Sequence, residues 1–139
     1  MPNYECFAFF CEDFRNEVGG KASYMGILGS KIDFGPESSD LPPDVIEVMS
    51  KVVAVALIRT REKKNVHLSA ELIIENGPDG VIKNIKSEHE LEVKNDQYET
   101  LIQFNAQLPN VPAYPGMKII VKFDADGCLF DASLLLTRI

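Results

Sequence analysis

Residues 66–75 read VHLSAELIIE. Val66, Leu68, Ala70, Leu72 and Ile74 occupy alternate positions, with His67, Ser69, Glu71 and Glu75 between them; Ile73 breaks the pattern. A repeat of two puts one set of side chains on each face of a strand, whereas a helix would repeat near 3.6. The same alternation returns at 89–94 (Leu91 and Val93 against Glu90, Glu92 and Lys94). At 100–108, Ile102, Phe104, Ala106 and Leu108 oppose Gln103, Asn105 and Gln107; at 117–124, Met117, Ile119, Val121 and Phe123 oppose Lys118, Lys122 and Asp124. Strands with one wet face pair antiparallel.

Other segments are apolar on both parities: NYECFAFFC (3–11), ASYMGILG (22–29) and VVAVALIRT (52–60). These read as central strands or strands covered on both faces. LFDASLLLTRI (129–139) reads as a last strand through about Thr137. NGPDG (76–80) and DADG (124–127) are turn sequences, the second a tight hairpin. LPNVPAYPG (108–116) carries three prolines and a glycine and predicts an irregular crossing. LPPDVIEVMSK (41–51) predicts a short helix near 43–50, with Pro43 in the first turn and Ile46, Met49 and Ser50 on one stripe. About eight strands with two long connections predict an all-β, antiparallel two-sheet sandwich, a single domain over 1–139. Lys83, Lys86 and Lys94 suit the protection of a sheet edge.

A chain of 139 residues with 45% hydrophobic and 25% charged side chains has ordinary globular composition. The net charge of −7 is concentrated in residues 1–50, where nine acidic face three basic side chains. Such a surface repels phosphate backbones, which argues against nucleic-acid binding. The basic run RTREKK (59–64) reads as a solvated loop. No apolar run is long enough for a membrane helix, and MPNYECFAFF has no basic leader and carries Glu5 among its apolar residues. A cytoplasmic protein without membrane contact is the expectation.

Cys6, Cys11 and Cys128 cannot form a complete disulfide framework, and Cys6 and Cys11 point to opposite faces of one strand. All three read as buried small hydrophobes in a reducing compartment. His67 points to solvent by alternation, while His89 shares the face of Leu91 and Val93 and reads as a core histidine. No G-x-S-x-G, H-E-x-x-H, Walker or G-x-G-x-x-G motif is present. Gly19-Gly20 precedes a strand, so it is no phosphate cradle. No catalytic residue and no cofactor is therefore assigned, and a non-enzymatic protein is expected. Asp124, Asp126 and Asp131 are weak calcium candidates: DADG resembles the start of a calcium loop, but the rest of the loop pattern is missing.

The stretch CEDFRNEVGGK (11–21) reads as a long connection wrapping one end of the sandwich, pinned by Phe14 and Val18. Cys11, Glu12, Asp13, Phe14, Arg15, Glu17, Gly19, Gly20 and Lys21, followed by Gly26, Ile27 and Leu28, resemble the N-terminus of a family of small bacterial and phage β-sandwich proteins of unknown function. Pro115-Gly116 and Asp126-Gly127 match that family's features near its last two strands. The resemblance spans roughly 11–35 and 108–138. It implies an immunoglobulin-like β-sandwich and carries no activity or catalytic residue.

The leading functional expectation is a non-enzymatic module that binds a protein partner or its own copy. Ile73, Leu101 and Ile120, apolar on otherwise polar faces, are its candidate contact residues. The alternative is a small-molecule binder for an anionic or nucleotide-like ligand, in a pocket lined by Phe14, Arg15 and Tyr114.

Overall fold

A computed structural model describes residues 4–17, 21–34, 47–62, 64–77, 83–93 and 100–138. Its elements are β1 (Tyr4–Glu17), β2 (Lys21–Leu28), β3 (Lys31–Phe34), β4 (Glu47–Thr60), β5 (Val66–Glu75), β6 (Lys83–Leu91), β7 (Thr100–Ala113), β8 (Lys118–Ala125) and β9 (Cys128–Arg138). They form a four-stranded sheet in the order β2-β1-β4-β7 and a five-stranded sheet in the order β3-β9-β8-β5-β6. Every pairing is antiparallel except β3 with β9, which run parallel. The all-β, two-sheet architecture is the one the alternation predicts, with nine strands among the described residues in place of about eight. No helix among the described residues is long and apolar enough to cross a membrane.

The strands with one wet face supply the interior. Val66 and Leu68 of β5 are fully buried, as are Ile119 of β8 and Leu134 and Leu136 of β9. Val52, Ala54, Ala56 and Ile58 of β4 close over them from the other sheet, with Phe10 and Phe123 as the largest rings. DADG is the expected hairpin: Asp126 (φ 48°) and Gly127 (φ 94°) are both left-handed, as a two-residue turn between β8 and β9 requires.

Four expectations need correction. The helix expected near 43–50 does not reach 47–50: these residues begin β4 and pair with β7, Glu47 against Ala113 and Met49 against Val111, while 41–46 lie outside the described residues. A two-turn helix with so weak a stripe loses to a neighbouring strand that offers a full ladder. The segment 108–113 is no crossing, because β7 continues through Pro109 and Pro112. Proline lacks an N–H, and β7 tolerates it as an edge strand whose outer side needs no ladder. CEDFRNEVGGK is a hairpin arm: β1 continues to Glu17, which pairs with Lys21, leaving only 18–20 to connect. Its polar side chains suit a ribbon at the sheet's edge. Finally, ASYMGILG forms an edge strand, with Ile27 63% exposed.

The edges are blunted by different means. β3 has four residues, β7 has its prolines, and β6 carries exposed Lys86, Glu88 and Glu90. In β2, Gly26 adopts φ +63°, and a Cβ there would collide with the Glu12 side chain.

Candidate functional site

The unusual surface is the outer face of the four-stranded sheet. In β4 the run from Val52 to Ala56 is buried without interruption, so Val53 and Val55 are covered on the face turned away from the main core. They form a second apolar cluster with Cys11, packed against Phe9, Phe14, Tyr24 and Leu57. The register sets this layer. Phe7 lies opposite Leu57, Phe9 opposite Val55 and Cys11 opposite Val53, so their side chains share one face.

Aromatic contacts and polar pins hold the layer. Tyr24 meets Phe9 edge-on at 5.2 Å and Phe14 at 6.5 Å. The Tyr24 hydroxyl donates to Gln103 Oε1 on β7, so a hydrogen bond spans the sheet from one edge strand to the other. Lys51 donates to Asp13 Oδ1; this ammonium and the Phe14 N–H hold the Asp13 carboxyl below its usual range.

Beyond this cluster the face stays apolar but loses its cover. Phe7 is 67% exposed and Leu101 61% exposed. With Leu57 they line a shallow cavity of about 270 Å³, rimmed by Glu5 and Arg59, whose guanidinium donates to the Glu5 carboxylate at 3.0 Å. Exposed apolar groups that adjoin in this way are characteristic of contact surfaces.

The structure divides the candidate contact residues. Ile73 and Ile120 are direct cross-strand partners on β5 and β8, on the outer face of the five-stranded sheet. Leu101 lies on the other sheet, where it joins Phe7 and Leu57. Those two were hidden in sequence by runs apolar on both parities, which do not say which face another layer covers. Their one visible signal is that such runs carry more apolar side chains than one core can receive.

The pocket candidates are divided as well. Phe14 belongs to the second cluster, Tyr114 packs against the main core, and Arg15 is exposed near the end of β1. Asp126 Oδ2 accepts the Tyr4 hydroxyl at 2.8 Å and Asp126 Oδ1 accepts the His67 N–H at 3.3 Å. Asp124 Oδ1 accepts the Gly127 N–H at 2.7 Å, and Asp131 pairs across the ladder with Lys122. These carboxylates pin a hairpin, and no group of three potential metal ligands occurs among the described residues.

The outer face of the five-stranded sheet differs in character. A broad groove of about 600 Å³ there is lined by Ser69, Glu71, Lys86, Glu88, Lys122 and Leu129 among others. Its charges interleave, with Lys86 Nζ 3.5 Å from Glu71 Oε2. His67 lies on this face with Nδ1 2.6 Å from Glu90 Oε1 and Nε2 3.5 Å from Glu88 Oε1. The Glu90 hydrogen bond chiefly, with help from Glu88, raises its pKa above 6.5. His89 instead packs its ring 4.5 Å from that of Phe104, between the sheets.

A pH dependence follows from His67. A raised folded-state pKa stabilises the fold fully below the unfolded value of 6.5, and that contribution disappears as pH rises through the folded value. Melting temperature is therefore expected to decline from pH 6 to pH 8.5, and His67→Gln to flatten the decline. An unchanged slope in that variant would exclude His67 as the cause.

No protein-family model matches the chain, and no curated protein matches it in sequence.

Proposed function

We propose that this chain is an immunoglobulin-like, cytoplasmic β-sandwich acting as a non-enzymatic protein-interaction module. Its contact surface is the outer face of the four-stranded sheet, and its partner there is a second copy of the chain. The observation that carries this reading is the exposure of Phe7 and Leu101 around Leu57, continuous with a buried apolar layer. The charges on the rim favour a second copy. Glu5 and Arg59 lie side by side, so a two-fold contact can pair the acid of each copy with the base of the other.

Sedimentation velocity over a hundredfold concentration range tests this. The wild type is expected to dimerise and Leu101→Asp to remain monomeric. At 61% exposure Leu101 contributes little to the isolated fold, so the variant's stability should shift by no more than ~0.5 kcal/mol. A wild type that stays monomeric throughout would sink the self-association reading.

A small-molecule binder is the second reading, favoured by a cavity of about 180 Å³ that includes Ala54, Leu72, Phe104, Ala106, Val121 and Phe123. Apart from Ser87 its lining is apolar, so the fitting ligand is a small apolar molecule rather than an anion. A ligand retained in the native mass spectrum of protein purified from its own host supports this reading.

A further inference from the structure

Cys6 and Cys128 stand 122 positions apart in the chain, yet their sulfurs lie 3.3 Å apart, with the Cys128 thiol donating to Cys6 Sγ. Cys6 belongs to β1 in the four-stranded sheet and Cys128 opens β9 in the five-stranded sheet. Two positions earlier on each segment, the Tyr4 hydroxyl donates to Asp126 Oδ2 at 2.8 Å. The corner is thus matched in two steps, residue 4 against 126 and residue 6 against 128. Asp126 also accepts the His67 N–H and so ties β5 to the same corner.

All three thiols are free. Cys6 and Cys128 are half-buried, whereas Cys11 is fully buried in the second cluster and its thiol donates to the Asp13 carbonyl at 3.4 Å. The expectation of three buried small hydrophobes therefore fits Cys11 alone.

We infer that Cys6 and Cys128 form a dithiol–disulfide couple, a modification site that a low-molecular-weight disulfide converts into a covalent staple between the two sheets. The inference goes beyond the interaction reading and stands without it. In the first step the Cys128 thiolate attacks one sulfur of the small disulfide, whose S–S bond breaks; one small thiolate leaves and takes up the proton that Cys128 lost. In the second, the Cys6 thiolate attacks the Cys128 sulfur and displaces the other small thiol, which leaves with the Cys6 proton. Two protein thiols are oxidised to one disulfide, and one small disulfide is reduced to two thiols. From 3.3 Å the sulfurs need to approach by about 1.3 Å to reach bonding distance, a shift that one residue at a hairpin end can absorb.

Burial is the chief cause that pushes the Cys6 thiol up to about 12.

Oxidised glutathione added to the full, natively folded chain tests the couple. The intact mass is expected to fall by two hydrogens with no glutathione retained, leaving one of the three cysteines open to alkylation after denaturation. Peptide mapping is expected to link Cys6 with Cys128. Cys11→Ser keeps the link, and Cys6→Ser stops at a glutathione adduct on Cys128. The bridged wild type is expected to melt several degrees above the reduced form, since so long a closed loop restrains the unfolded chain. A wild type that retains three alkylatable thiols, holds a stable glutathione adduct, or forms its link through Cys11 overturns the inference.

Discussion

Phe123→Ala is expected to destabilise the fold by about 3–5 kcal/mol, the largest cost we foresee for truncating one core side chain. Phe123 is 2% exposed and its ring joins three elements. It stacks on Phe130 of β9 at 5.2 Å and meets Phe104 of β7 edge-on at 6.1 Å, so it bridges the two sheets. It also lines the cavity of about 180 Å³, so deletion of the ring enlarges an existing void instead of letting neighbours close in. For a domain of this size the loss corresponds to a fall in melting temperature of roughly 10–20 °C. Urea denaturation followed by fluorescence or circular dichroism reads it directly. A cost below about 1 kcal/mol would mean that the sheets do not close over Phe123.

Val55→Asp is the second large effect, and it tests the layer beneath the proposed contact surface. Val55 is fully buried although it points away from the main core. A carboxylate there is surrounded by Val53, Cys11, Phe9 and Leu57 and must either ionise in an apolar site or remain protonated. The expected cost is about 4 kcal/mol or more, enough to unfold a marginal domain. Because Val55 is covered within a single chain, the loss is expected at every protein concentration. Leu101→Asp acts in the opposite way, altering association and sparing the fold. A Val55→Asp variant that melts within a few degrees of wild type would place this cluster among surface features.

The pairing of these two substitutions reflects how the surface arises. Phe7 and Leu101 are exposed and Val53 and Val55 buried on the same face, because the aromatic layer of Phe9, Phe14 and Tyr24 covers only part of it. In sequence the β1 and β4 residues of this face are indistinguishable from core. β1 and β4 are apolar on both parities, and parity cannot tell a face covered by another sheet from one covered by its own side chains. Legibility was therefore greatest where one face is wet. β5 and β8 turn the expected residues inward, with Val66, Leu68, Ile119, Val121 and Phe123 buried and Ala70, Leu72 and Ile74 packed against the core, and His67 and His89 fell on the faces that alternation assigns them. It was poorest where ladder pairing outweighed local preference, as at Pro109, Pro112 and residues 47–50.

Ile73, Ile120 and Leu101 illustrate the same limit at the level of a site. The face each occupies was readable, since each interrupts a polar parity. Which of them meet depends on strand order, and this puts Ile73 beside Ile120 and sends Leu101 to the other sheet. Cys6 and Cys128 are a sharper case: spacing sets Cys6 against Cys11, but nothing in it chooses which of the two meets Cys128.

By itself, then, the order of amino acids determined that this chain builds strands, where most of them turn, and which side chains of the half-wet strands point inward. Those properties are set between neighbours a few residues apart, by backbone pleat, turn chemistry and the transfer of apolar groups from water. Only the tertiary structure decided which strands adjoin, which outer face stays apolar, and which two thiols touch. Contacts between residues more than a hundred positions apart are chosen by the packing of the whole chain, and no local pattern encodes them.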